Sequence, residues 1–178
     1  ECASIICNLI AISAVNLHTL NLSSNKITSG GARVLATFLE REGAPVLNRL
    51  VLSDNLLEDE GVQYLSKFVG KHQEISHLDL ARNEIEWEGG LYLAGAISSA
   101  SCHVAELNLA GNSLGNQGMV ALAASLALNK SVQLVNMSGN KVGDVGVDAL
   151  VHRWLPESRS LHSLTSLDLS GNDITDLG

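Results

Sequence analysis

Histidine and cysteine are the side chains in this sequence best suited to hold a metal ion. His72 and His77 are five residues apart, which is not the H-E-x-x-H arrangement of a zinc peptidase helix. Cys102 and His103 are adjacent, but no second pair of ligands lies near them in the sequence. The spacing therefore predicts no metal site and no cofactor.

The cysteines also indicate a compartment. Their number is odd, and Cys2 and Cys7 lie in an apolar opening segment, where a thiol is usually a small core side chain. Reduced thiols in an aliphatic core are typical of the cytoplasm or the nucleus rather than of secretion. We therefore predict a cytoplasmic or nuclear protein.

Two glycine-rich stretches, residues 111–118 and 139–146, superficially resemble phosphate-binding loops. Neither has the spacing of a dinucleotide fingerprint or the Gly-Lys-Ser/Thr ending of a P-loop. The sequence also lacks the motifs that accompany an activated serine or cysteine nucleophile. It therefore predicts neither nucleotide binding nor an enzyme.

Composition excludes several other classes of function. The formal net charge is −8 and no basic patch is present, so nucleic acid and anionic membrane surfaces are poor partners. The longest apolar run, residues 4–15, is shorter than the roughly twenty residues that a membrane span needs. Hydrophobic residues make up 46% of the chain and aromatic ones only 3%, which predicts a core of many similar aliphatic layers.

The chain contains an internal repeat, and this repeat must position every candidate residue. The first copy has Leu17, Leu20 and Leu22, then Asn25 and Ile27, and the same frame occurs six times in all. The successive asparagines are 30, 28, 29, 28 and 32 residues apart. They are Asn25, Asn55, Asn83, Asn112, Asn140 and Asn172.

Each copy has a first half with alternating apolar residues and a second half with a helical apolar pattern. These halves predict a short strand followed by a helix, and a helix that returns the chain each time makes successive strands parallel. Four residues after the asparagines stand residues that we predict to cap their own helices, with one exception at Trp87. The predicted caps are Ser29, Asp59, Asn116, Asp144 and Asp176.

The recurring asparagine is predicted to be structural. Where the chain leaves the strand and turns inward, backbone groups lose their sheet partners, and an unpaired buried group costs about 1–3 kcal/mol. An amide side chain both donates and accepts, so it can serve the turns on either side. The glycine six residues later is predicted to allow close packing on the next repeat.

The pattern LxxLxLxxNxL, with a helix and a period near 28–29 residues, resembles the ribonuclease-inhibitor type of leucine-rich repeat. This type also occurs in NOD-like receptors, the Ran GTPase-activating protein and tropomodulin. The resemblance implies an α/β fold: a curved solenoid with an inner parallel β-sheet, outer helices and about six repeats of 28–32 residues.

The repeat frame also predicts the domain organisation. Residues 1–178 form one repeat domain, with repeats that start near residues 15, 45, 73, 102, 130 and 162. Residues 1–14 have the pattern of the end of a preceding repeat, and neither end has the polar residues of a cap. We therefore expect the chain to be a fragment of a longer repeat array.

The solvent side of the strands is then one continuous inner face, and its residues follow from the register. One row on this face contains the residue just before the second apolar position of each repeat, and we call it the outer row. Its residues vary in chemistry and include Arg49, His77 and Glu106, which are the best contact candidates. They either meet a protein partner or merely pair with one another across adjacent strands. The predicted contact residues of the inner face are Arg49, Val51, His77, Asp79, Glu106, Asn108, Leu134 and Asn136.

Trp87 is a second candidate contact. It replaces a capping residue and lies among Glu84, Glu86 and Glu88. Tryptophan is enriched among the residues that dominate binding interfaces, so this rim is predicted either to engage a partner or to pack over the adjacent repeat.

Our first hypothesis is therefore a non-catalytic module that binds a protein through the inner face. The resemblance implies two alternatives: activation of a GTPase, as by the Ran activator, or ligand sensing as an arm of a NOD-like innate immune receptor.

Overall fold

Six three-residue strands form one parallel sheet whose spatial order follows the chain order. The structure, a computed structural model, describes residues 16–154 and 163–178. The strands are β1 (Thr19–Asn21), β2 (Arg49–Val51), β3 (His77–Asp79), β4 (Glu106–Asn108), β5 (Leu134–Asn136) and β6 (Ser166–Asp168). The helices in the described residues are α1 (Ser29–Leu39), α2 (Glu58–Val69), α3 (Trp87–Ile97), α4 (Gly115–Leu126) and α5 (Asp144–Trp154).

Strand and helix alternate along the chain, and each helix packs against the helix of the next repeat. The predicted curved α/β solenoid, with an inner parallel sheet and outer helices, is confirmed. The expected end of a preceding repeat, at residues 1–14, lies outside the described residues. Among the described helices, none combines the length and the apolar character needed to cross a bilayer.

The core is a column of aliphatic side chains between the sheet and the helices. The central residue of each strand pairs in register with its equivalent on the next strand, from Leu20 opposite Leu50 to Val135 opposite Leu167. Five of these central residues are buried, and Leu167 in the last strand is half-buried. Burial of one such side chain contributes about 1.5–3 kcal/mol, so each repeat is stabilised mainly by its neighbours.

The residues at which the helices begin contradict the predicted N-caps. Helices α1 and α5 begin at the predicted caps Ser29 and Asp144, and α2 and α4 begin one residue before Asp59 and Asn116. These four residues therefore lie in the first helical turn instead of capping it, and Asp176 belongs to no helix. The residues that do precede α1, α2 and α4 make no side-chain capping bond. The prediction that Ser29, Asp59, Asn116 and Asp144 cap their own helices is therefore wrong, whereas the described residues contain no helix after Asp176 that could test it.

Two of these side chains cap the next repeat instead of their own. Asp59 Oδ1 accepts hydrogen bonds from the backbone N–H groups of Glu86, 2.8 Å away, and Gly89, 2.9 Å away, which start helix α3. A Cβ atom on Gly89 would lie 2.5 Å from Asp59 Oδ1, so glycine is required here by close approach. Because this contact is with the preceding repeat, the predicted packing of the glycine on the next repeat is wrong at this position.

The same arrangement recurs two repeats later. Asn116 Oδ1 accepts from the N–H groups of Gly143 and Gly146, at 2.8 and 3.1 Å, which start helix α5. Asp144 Oδ1 accepts from the N–H of Thr175 at 2.8 Å. Capping from the preceding repeat satisfies free helix amides and also joins the two repeats.

From the second repeat on, the recurring asparagines hydrogen-bond both their own turn and the preceding repeat. Within the described residues, Asn25 bonds only its own turn. Asn112 is typical: its Nδ2 donates to Leu80 O at 3.0 Å in the preceding repeat and to Leu109 O at 2.9 Å in its own. Its Oδ1 accepts from the N–H groups of Asn83 and Ile85, at 2.8 and 3.1 Å. One buried amide therefore satisfies four backbone groups.

Asn83 departs from this pattern. It is fully buried, and its Nδ2 donates to Leu52 O at 2.9 Å and to Ala81 O at 3.0 Å. Within the described part of the chain, however, its Oδ1 has no hydrogen-bond partner. Asn83 and Asn112 thus occupy equivalent buried positions. They differ mainly in that Asn112 Oδ1 accepts two hydrogen bonds and Asn83 Oδ1 accepts none from the described residues.

The residue before each asparagine has a left-handed backbone. It is glycine in the last three repeats, at residues 111, 139 and 171, and Ser24, Asp54 or Arg82 in the first three, with φ between 53° and 67° in all six. A non-glycine residue in this region is strained, so the first three turns are held by the surrounding structure.

We expect Asn112→Ala to destabilise the chain by about 3 kcal/mol, because it leaves four buried backbone groups without their hydrogen-bond partner. Asn83→Ala is the matched control and should cost only about 1–2 kcal/mol, since it removes donors but no used acceptor. Urea unfolding of the two variants measures the difference. Equal losses would contradict the role given to the Asn112 acceptor.

We expect Asp59→Ala to cost about 1 kcal/mol, because the first turn of α3 loses its acceptor. Hydrogen exchange of the Gly89 amide should accelerate in the same variant. Ser29→Ala, at the equivalent position in the first repeat, is the control, since Ser29 Oγ donates only to the exposed Glu60 carboxylate. An unchanged Gly89 exchange rate in Asp59→Ala would rule out capping between repeats.

Candidate functional site

The inner face of the sheet carries two parallel rows of side chains. The outer row contains the first residue of each strand, and the inner row contains the last, because alternate residues point to the same side. The register places Arg49 beside His77 and His77 beside Glu106 in the outer row. It places Asp79, Asn108 and Asn136 side by side in the inner row.

A polar chain joins three strands in the outer row. His77 Nδ1 lies 2.5 Å from Glu106 Oε2 and 3.4 Å from Arg49 Nη1. The short contact with a carboxylate requires His77 Nδ1 to donate its hydrogen to Glu106, so Arg49 approaches the ring without an acceptor there. Arg49 and Glu106 nevertheless remain exposed, whereas His77 is half-buried between them. Cross-strand pairing and exposure to a partner, the two alternatives for this row, therefore coexist.

The inner row is used mainly to close turns. In five of the six strands its Asn or Asp Oδ1 accepts from the backbone N–H two residues later, at 2.9–3.2 Å. These residues are Asn21, Asp79, Asn108, Asn136 and Asp168. Such turns need a short side chain with an acceptor, and they hold the strand ends in place. One oxygen or nitrogen of each side chain is left for a partner.

Val51 is the exception in the inner row. Its side chain is only 6% exposed, so it offers almost no surface to a partner. Although the register places it among the predicted contact residues, burial removes it from the candidate site.

A depression of about 320 Å³ lies on the inner face over strands β3 to β6. Leu134, 40% exposed, is its apolar wall, and Glu106 and Ser166 flank Leu134 on the neighbouring strands. His77 and Asp168 also line this space, which we call the Leu134 depression. The predicted contact set does not include Ser166 and Asp168, although the same register identifies them.

Asp168 is the acidic group of this face whose ionised form is stabilised by its hydrogen bonds. Hydrogen bonds from the backbone and side chain of Ser170 lower the pKa of Asp168 below its ordinary value. Strands β4, β5 and β6 contain Glu106 and Asp168 and contain no lysine or arginine. The depression therefore has an apolar wall and a negative rim.

Trp87 is placed at the rim of the solenoid as the first residue of α3 and is 40% exposed. The carboxylates of Asp59, Glu86 and Glu88 lie within 4.8 Å of one another beside it. Asp59 Oδ1 in this group already accepts the two backbone hydrogen bonds of the α3 cap. The rim is thus an exposed aromatic ring next to concentrated negative charge.

The remaining residues of chemical interest have structural surroundings. The ring of His72 stacks on Phe68 with centroids 4.2 Å apart, and His103 Nδ1 contacts Ser101 O at 3.1 Å. Cys102 is a buried free thiol, and burial raises its pKa, so the thiol is protonated and unreactive at neutral pH.

Comparison with known proteins identifies the repeat. Residues 14–36, 44–66, 73–94, 100–123, 128–151 and 160–178 match the leucine-rich repeat family. The chain belongs to this family. These six segments correspond to the six repeats of the sheet.

Similar proteins support the assignment of the repeat type. The chain is 30% identical over 147 residues to NACHT, LRR and PYD domains-containing protein 4C of Mus musculus, which covers 80% of this chain and 15% of that protein. It is 29% identical over 168 residues to NACHT, LRR and PYD domains-containing protein 13 of Homo sapiens, covering 89% of this chain and 16% of that one.

It is also 29% identical over 154 residues to the ribonuclease inhibitor of Mus musculus, covering 86% of this chain and 34% of the inhibitor. The predicted resemblance to the ribonuclease-inhibitor type of repeat is confirmed. The chain spans only about a sixth of the NACHT relatives and about a third of the inhibitor.

An internalin from Listeria monocytogenes has a similar structure. The TM-score is 0.52 at 17% sequence identity, and the alignment covers 98% of this chain and 46% of the internalin. At this identity the likeness is one of fold.

Proposed function

We propose that this chain is a non-catalytic module that binds a protein partner through its inner face. The observation that supports this most is the pairing of a rigid frame with exposed contact groups. Arg49, Glu106 and Leu134 stay exposed although their strands are held in register by the sheet and by the buried asparagines. A surface fixed in advance loses little conformational entropy on association.

The proposed contact set is narrower than the one read from sequence. Arg49, His77, Glu106 and Leu134 in the outer row form its centre, because they vary in chemistry from strand to strand. Asp79, Asn108 and Asn136 contribute the side-chain oxygen or nitrogen atom that does not take part in the hydrogen bond of the turn. The name of the mouse ribonuclease inhibitor describes inhibition of a ribonuclease, which is a protein, and this supports a protein partner here.

The Trp87 rim is the secondary contact surface in this proposal. An exposed indole beside three carboxylates offers both apolar area and negative charge to the partner. Aromatic residues of this kind often dominate interface energies, so Trp87 would extend binding from the inner face to the helix starts.

We expect exchange of two charges, Arg49→Glu together with Glu106→Arg, to weaken binding of a purified partner about tenfold. The unfolding free energy should change by less than about 0.5 kcal/mol, because exposed ion pairs contribute little to stability. The partner is first isolated with the full chain as bait, and isothermal titration calorimetry then compares the affinities.

The control exchanges the charges of an exposed ion pair away from the inner face, Glu40→Lys together with Lys71→Glu. Glu40 Oε1 and Lys71 Nζ lie 3.3 Å apart beyond the C-terminal ends of α1 and α2. Binding should be unchanged in this variant. If the two double variants bind equally well, the inner face is not the binding surface.

We also propose that the chain is the repeat region of a longer protein related to the NACHT, LRR and PYD domains-containing proteins. The matches to several such proteins, each covering most of this chain and a small part of the relative, support this candidate. In such a protein the repeats would supply the recognition surface and the NACHT and PYD domains would lie outside it. The buried free thiol of Cys102 supports a cytoplasmic or nuclear location for it.

We expect an antibody raised against this chain to detect an endogenous protein much larger than 18.8 kDa. Mass spectrometry of that protein should yield peptides with similarity to NACHT domains. Detection of only an 18.8-kDa species would contradict this second candidate and leave the inner-face proposal unaffected.

A further inference from the structure

The Leu134 depression differs from the rest of the inner face in having an apolar wall within reach of two carboxylates. Neighbouring strands of a sheet lie about 4.8 Å apart, so Glu106 and Ser166 are the immediate neighbours of Leu134. Ser166 is small and leaves open space beside the Leu134 side chain. Asp168 lies two residues further along the same strand, on the same side of the sheet, and closes that space.

Among the described residues no ion pair involves Asp168, so the negative charge at that end of the depression is not neutralised. The His77 hydrogen bond occupies Glu106 Oε2 and leaves Oε1. Arg49 approaches Glu106 from the far side of His77, because its Nη1 lies 3.4 Å from the His77 Nδ1 that contacts Glu106 Oε2. Among the described residues, the hydrogen bonds that Asp168 accepts come from Ser170, and they keep it ionised.

The chemistry that complements this space is a cation on an aliphatic stem. We infer that the Leu134 depression receives a lysine or arginine side chain of the protein partner, with its methylene stem against Leu134 and its charged head between Glu106 and Asp168. Long basic side chains bury their stems on apolar surface while the charged head stays polar, as this arrangement requires. The inference rests on the proposed function and names the chemistry of its partner at one position.

The probe is the peptide acetyl-Gly-Arg-Gly-amide, titrated into the isotope-labelled full chain and followed by NMR. The methyl signals of Leu134 and the amide signals of Glu106 and Asp168 should shift together and saturate. The citrulline peptide has nearly the same shape without the charge, and it should bind at least about fivefold more weakly. Higher ionic strength should weaken the arginine peptide and not the citrulline peptide.

Matched substitutions locate the site. Glu106→Gln and Asp168→Asn keep the hydrogen-bond acceptors and remove one charge each, so each should weaken the arginine peptide about two- to fivefold. Glu42→Gln, which removes an exposed charge in the loop after α1, should have no effect. Leu134→Ala should weaken the peptide about threefold through loss of apolar contact, whereas Val145→Ala, also exposed, should not.

Several results would overturn the inference: arginine shifts that miss Leu134, equal binding of the citrulline peptide, or unchanged binding in both charge variants. These failures are distinguishable from failure of the proposed function. Suppose that the exchange of Arg49 and Glu106 weakens binding of the protein partner while the arginine peptide does not bind the depression. The inner face is then still the interface, and only the assignment of a basic side chain to the depression is wrong. If neither responds, the proposed function fails as well.

Discussion

The structure depends on one constraint: after each short strand the chain turns inward, and the backbone groups of that turn must find partners away from water. From the second repeat on, an asparagine meets this requirement by bonding its own turn and the repeat before it, as the buried Asn112 does for four backbone groups. Because the amide reaches across the repeat boundary, it stabilises both the turn and the stacking. A repeat therefore has its native turn only when its neighbour is in place.

Capping between repeats also stabilises the stacking of each repeat on its neighbour. Asp59 and Asn116 accept from the first amides of the following helix instead of their own, so the start of one helix is held by the repeat before it. Together with the aliphatic column, these bonds fix the strands in register. The inner face is consequently rigid, and the few side chains on it that are both exposed and varied become its recognition groups.

Much of the fold could be predicted because the repeat presents the same frame six times, and a short strand, an inward turn and a returning helix allow few arrangements. The predicted contact residues follow from the same period of two. Their exposure does not follow from it: Val51 occupies a predicted contact position yet is buried, and Asp168 lines the depression although it is not among the predicted contacts. The capping partners were assigned to the wrong helix, because a sequence indicates which side chain can accept but not which amide lies nearest.

By itself the sequence determined the repeat, the parallel sheet, the aliphatic core and the rows of the inner face, since all of these follow from local periodicity. The tertiary structure alone decided which partner each polar group takes. His77 turns to Glu106, Asp59 reaches helix α3, and Ser166 leaves space beside Leu134. These contacts join residues 29 to 32 positions apart. Their geometry depends on how the repeats stack, which no local pattern specifies.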